Sequence, residues 1–142
     1  MNRFIKPTAA VLTLIFILLV FAACGKGIDK ARIDYGHSDI YTKEDMDEAI
    51  DLIKGNASHM TGLKRLINVR YSSDDCSSEK NVVWMNELVD DASFTQCIMF
   101  KTDFTTGSST TSLNPNDRYT DWQWWLARTD GGEWHVVTSG YG

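Results

Sequence analysis

Thr8–Ala23 is a run of 16 residues without a charge, built mainly from Leu, Ile, Val, Phe and Ala. Arg3 and Lys6 precede it, so its start stays on the cytoplasmic side while the apolar run enters the bilayer. The run falls short of the roughly 20 residues that a stable span prefers. Ala22 and Ala23, small residues, then let the backbone enter a peptidase cleft. Read as a removable signal helix over residues 1–23, this segment leaves 119 residues of the 142 for folding, enough for one core of modest size.

The stretch Phe21-Ala22-Ala23-Cys24-Gly25 resembles the lipobox of bacterial lipoproteins. The resemblance implies that the Cys24 thiol takes a diacylglycerol, that the chain is cut before it, and that Cys24 becomes the mature N-terminus. Phe21 stands where the family usually has Leu, and Val20 beside it preserves the apolar character. One acyl chain binds a bilayer only marginally, whereas the two or three of a lipoprotein hold firmly. An uncleaved signal anchor and an ordinary signal peptide with an incidental cysteine are the competing readings. The expected layout is a lipoprotein signal peptide over 1–23, a lipidated cysteine and flexible tether over 24–37, and one α+β domain over 38–142. Gly25 to Asp34 reads as tether because it is polar and contains Gly25, Lys26, Gly27 and Lys30. The expected location is the extracytoplasmic face of the cell membrane, with the membrane as partner through the N-terminal lipid.

Charge narrows the partners further. Without Arg3 and Lys6, 12 of the 14 basic residues remain against 19 acidic ones, a formal charge of −7. Such a chain repels phosphate backbones, so nucleic acid is excluded as a partner. An acidic balance also supplies no polybasic attraction to anionic lipid, which leaves attachment to the anchor.

Within the domain, Thr42 reads as a helix N-cap with Asp45 as its capping-box partner. Met46, Ala49, Ile50, Ile53 and Ala57 recur at helical spacing and predict a helix over 43–58. Leu63–Tyr71 shifts to a period of two and predicts a strand, with Arg65, Ile67, Val69 and Tyr71 on one side and Lys64, Leu66, Asn68 and Arg70 on the other. A turn of Ser, Asp and Cys leads to a second helix over 79–90 with Ser78 as its candidate cap, although Val82, Val83 and Trp84 would also suit a strand. Phe94–Phe104 predicts a strand with Phe94, Ile98, Phe100 and Phe104 on one face. A polar loop follows, then a strand over 119–129, a hairpin turn at Asp130-Gly131-Gly132 and a returning strand over 133–138. Helices followed by such a meander predict an α+β fold, with helices on one face of a curved, cone-like antiparallel sheet and the long helix in its concave side.

Ser112-Leu113-Asn114-Pro115-Asn116, Tyr119-Thr120-Asp121-Trp122-Gln123-Trp124, Gly131-Gly132-Glu133-Trp134 and Gly140-Tyr141, with the helix led by Tyr41-Thr42-Lys43-Glu44-Asp45, resemble a group of uncharacterised lipoproteins of Firmicutes, clostridia above all. The resemblance covers most of 38–142. It implies a fold like that of nuclear transport factor two, a cone of curved sheet over helices, and transfers no activity. Relatives often carry a Gly-Cys pair before the first strand. Here that place reads Gly62-Leu63, so a thiol role there is absent.

Cys76 and Cys97 form an even pair in an oxidising compartment, which allows a disulfide or two unpaired thiols. Trp122, Trp124 and Trp125 are the candidate ligand-facing residues. Trp124 and Trp125 are adjacent, so one of them faces outward or lines a cavity, where aromatic rings beside Asn, Gln and Asp suit a sugar or peptide. A core built of aromatics with one ring at the surface is the plainer account. His37, His59 and His135 are scattered without metal-ligand spacing, and neither Asp74-Asp75 nor Asp90-Asp91 has the pattern of a calcium loop, so no metal or cofactor is expected.

Three function classes follow. The first is a non-catalytic lipoprotein whose domain binds a small ligand or an envelope protein. The second is a small envelope enzyme, isomerase- or hydrolase-like, with an acid or base inside the cone. Asp103, Tyr119 and Asp121 are its candidate catalytic residues, and it requires Asp103 or Asp121 in an apolar pocket with a raised pKa. The third is an accessory subunit of an envelope complex, with an exposed apolar patch around Trp125.

Overall fold

A computed structural model describes residues 27–142 of the chain. The expected signal helix and Cys24 lie outside the described residues. Among the described residues no helix is long and apolar enough to cross a membrane.

The fold is α+β: two helices and a five-stranded mixed sheet in the order β1-β2-β3-β4-β5. Its elements are β1 (Arg32–Asp34), α1 (Lys43–His59), β2 (Leu63–Tyr71), a 3₁₀ turn (Asp74–Ser77), α2 (Glu79–Leu88), β3 (Gln96–Thr106), β4 (Arg118–Arg128) and β5 (His135–Gly140). β2 to β5 pair antiparallel, and β1 joins β2 in parallel. The sheet is open, with β1 and β5 as its edges, and so is neither wholly antiparallel nor a closed cone.

Helix α1 begins where the sequence places it. The Thr42 hydroxyl accepts from the Asp45 N–H at 3.2 Å, and the Asp45 carboxylate accepts from the Thr42 N–H at 3.0 Å, which satisfies two orphan donors at once. Its apolar stripe, including Met46, Ile50 and Ile53, packs on Leu66, Val69, Ile98, Phe100, Phe104, Trp124 and Leu126. Each large side chain so buried contributes about 1.5–3 kcal/mol.

Helix α2 covers the other face. Met85 packs there with Cys97, Met99, Trp125 and Ala127. The expectation of both helices on one face fails because β3 and β4 each carry two apolar stripes, one per face. Phe94 belongs to the α2 side: it precedes β3, and Asn86 clamps its backbone by accepting from its N–H at 2.7 Å and donating to its carbonyl at 2.9 Å.

Two further expectations need correction. Residues 28–34, read as tether, belong to the domain. Ile28 and Ala31 are buried, and Ile33 pairs with Val69. The strict alternation assigned to β2 is broken by two irregularities, at Leu63/Arg65 and Leu66/Asn68. An extra residue shifts which side the following residues face, so Leu63, Leu66, Val69 and Tyr71 all reach the α1 core. At the far hairpin, Gly131 adopts a φ of +68°. β5 starts two residues later than expected, because Trp134 turns inward to donate its indole N–H to the Asp45 carbonyl at 3.0 Å.

Candidate functional site

The ten residues of α2 cover only part of their sheet face. Directly paired residues share a face, and Met99 opposite Trp125 fixes which one α2 covers. Beyond its reach the same face carries Arg70, Lys101 and Gln123 in one row, then the paired Asn68 and Asp103, with Asp121 beside them at the β4 irregularity. A polar half-face therefore adjoins the aromatic edge of the α2 core.

Asp103 is the hub of this half-face. Its carboxylate accepts from the Asn68 amide at 2.9 Å, from Arg70 Nη1 at 3.1 Å and from the backbone N–H of Asp121 at 3.0 Å. Arg70 reaches on to the Asp121 carboxylate at 2.6 Å, and Arg118 approaches Asp103 to 3.9 Å. Burial opposes the charge on Asp103. The donors from Asp121, Asn68 and Arg70 outweigh it and hold the carboxyl below the usual carboxylate range. The enzyme reading required a raised pKa in an apolar pocket. Asp103 has the opposite setting: buried, but surrounded by donors that favour the anion. Asp121 is exposed at the rim.

The structure brings Asp103 and Asp121 together and leaves Tyr119 on the opposite face. The Tyr119 ring stacks on Phe104 with centroids 5.0 Å apart, and its hydroxyl accepts from the Asn114 N–H at 2.8 Å. Tyr119 thus fastens the loop before β4 to the core.

The tryptophans divide in the same way. Trp124 is buried on the α1 side and donates to the Thr102 hydroxyl at 3.0 Å. Trp122, on that side too, packs edge-on to Phe104 and Tyr119. Trp125 faces α2, donates to the Gln123 side-chain carbonyl at 2.9 Å and meets the Trp84 ring edge-on at 5.2 Å. There a cleft of about 190 Å³ opens, lined by Trp84, Gln123, Trp125, Tyr141 and the backbone around Gly140. Of the three expected ligand-facing tryptophans, only Trp125 reaches it.

Trp84 completes the cleft, and sequence reasoning did not assign it to a ligand; the Tyr141 ring packs instead on Trp122 and Tyr119, with centroids 5.3 and 5.9 Å away. The signal for Trp84 was its place off the Val82–Met85–Val89 stripe, which turns it outward. It is 37% exposed, and Val83 and Leu88 beside it are also exposed.

Cys76 and Cys97 are neighbours with free thiols. Cys97 donates its thiol to the Cys76 carbonyl at 3.3 Å. Burial, with Cys76 nearby, pushes the Cys97 thiol up to about 11. Among the described residues no three His, Cys, Asp or Glu side chains come together as a metal cage requires.

No protein-family model, curated protein or solved structure matches this chain.

Proposed function

We propose that this chain is an extracytoplasmic lipoprotein, held on the membrane by lipid on Cys24, whose domain is a binding module rather than an enzyme. Support for the anchor is the charged start, the uncharged 16-residue run and the Ala-Ala-Cys-Gly junction. Support for binding rests on one observation: the Trp84–Trp125 cleft. Two aromatic walls meet there beside the Gln123 amide, whose carbonyl is engaged by Trp125 and whose nitrogen lies against Gly142.

The size of the cleft limits what enters. Drug-sized ligands occupy sites of roughly 300 Å³ or more, so about 190 Å³ takes one sugar ring or one side chain of a longer ligand. A sugar presents a flat apolar face to an aromatic wall and hydroxyls to an amide, and a peptide side chain with its backbone does the same. Asp103 supports the binding reading from the other side, because three fixed donors favour its anion and it has no proton to give near neutral pH.

The test is a calorimetric titration of the protein with cell-wall saccharides and short peptides, combined with the indole N–H resonances of the five tryptophans. A ligand is expected to shift Trp84 and Trp125 and leave Trp124 unmoved. Trp84→Ala is expected to weaken it about tenfold, as an aromatic anchor does. Shifts confined to other tryptophans, or an affinity unchanged in Trp84→Ala, would contradict the assignment.

A further inference from the structure

The strand order gathers positive charge that is scattered along the sequence. Lys64 and Arg65 open β2, and Arg118 opens β4. Arg65 and Arg118 each pair with Thr105 of β3, one on either side. All three cations are exposed. They border a groove of about 710 Å³ whose wall also includes Thr106, Asn116 and the carboxylate of Asp117, a surplus of two positive charges in an otherwise acidic domain. The exposed Asp117 carboxylate accepts from the Arg118 N–H at 2.8 Å.

The start of the described chain lies at the same place. Gly27 rests on Arg65, where a β-carbon would sit 3.2 Å from the arginine Cγ. Gly27 is three residues after Cys24. Three residues span at most about 11 Å when fully extended, close to the distance over which charge acts at physiological salt, about 8 Å. A lipid on Cys24 therefore cannot hold the domain far from the bilayer at this end.

We infer that the Lys64–Arg65–Arg118 groove is a docking surface for the anionic headgroups of the bilayer in which the Cys24 lipid is embedded. The inference rests on the lipoprotein reading proposed above and goes beyond it, since the anchor alone does not determine which surface of the domain faces the bilayer. The groove determines it. It sets the β2 and β4 starts against the membrane, while Lys43 and Lys54 of α1 do not line the groove. Net charge gives no hint of it, because the attraction is local and depends on the surplus of positive charge at this one place.

The experiment uses the full, membrane-extracted protein reconstituted into vesicles of phosphatidylcholine alone, or of equal parts phosphatidylcholine and phosphatidylglycerol. Lysines are acetylated briefly and read by mass spectrometry. Lys64 is expected to react about fivefold more slowly on the anionic vesicles, with Lys43 and Lys54 unchanged, and high salt is expected to restore it. Arg65→Glu/Arg118→Glu, two exposed positions, is expected to remain on the vesicles through its lipid and to lose the protection of Lys64. Firm retention with Lys64 equally reactive on both vesicles overturns the docking surface alone. Protein that washes off both vesicles with an unmodified Cys24 overturns the anchor reading, and the docking surface with it.

Discussion

The carboxylate of Asp103 accepts the backbone N–H of Asp121 at 3.0 Å, across the irregularity where Thr102 pairs with Trp122 but Phe104 with Tyr119. One buried charge thus holds the bulge of β4 in place while Arg70 ties both carboxylates together.

Asp103→Asn keeps the shape and removes the charge that Arg70 and Asp121 are arranged around. Breaking a fully buried pair costs about 3–5 kcal/mol. Arg70 is 26% exposed and retains Asp121, so the expected loss is nearer 2 kcal/mol. The pH dependence has a definite sign. The folded-state carboxyl lies below its ordinary value, so its contribution is present above the unfolded pKa of about 3.9 and disappears as pH falls through the folded value. Melting temperatures of the two proteins are expected to differ by several degrees near neutrality and to converge in strong acid. Parallel curves down to the lowest pH would contradict the role given to Asp103.

Asp121 occupies the left-handed region at φ +57°, where a β-carbon is strained and glycine is not. Its ion pair with Arg70 is exposed and worth at most about 1 kcal/mol. Asp121→Gly is therefore expected to fall within about 0.5 kcal/mol of the parent, as relief of strain offsets the lost pair. Asp121→Ala loses the pair and keeps the strain, for a cost of about 1–1.5 kcal/mol. Urea midpoints at constant slope read the difference. Equal loss in both variants would mean that the bulge does not depend on backbone strain here.

Cys97 sits fully buried with its thiol pushed up to about 11. Near pH 8 almost none of it is thiolate, and the thiolate is the nucleophile. Iodoacetamide is expected to label Cys97 only as fast as the protein unfolds, with the rate rising in step with urea. Rapid labelling in the native protein would place Cys97 in a looser α2 packing than the structure has.

How much of this was readable in advance follows from what each signal depends on. Helix α1 was legible because its cap, its acidic first turn and its apolar stripe are all local. The hairpin at Gly131 was legible for the same reason. β2 misled because a bulge is an event between two strands: nothing in Leu63–Tyr71 announces that Lys64 and Ile67 are extra residues. β1 was hidden in a polar stretch of three residues that owes its structure to pairing with β2. The helix placement failed because helices followed by a meander suggest a single covered face, whereas α2 covers part of the second. Asp103 stands out in the sequence as a candidate acid or base, but its setting depends on Asn68 and Arg70, more than 30 residues away. The basic groove was invisible because Lys64 and Arg118 become neighbours only through strand order.

Mass spectrometry of the protein extracted from the membrane with detergent tests the central claim most directly. The account predicts an intact mass for a chain beginning at Cys24 plus two or three acyl chains, and a Cys24→Ser protein that is not cut at this position and carries no lipid. A mature chain that retains residues 1–23, or one that begins at an unmodified Cys24, would contradict it.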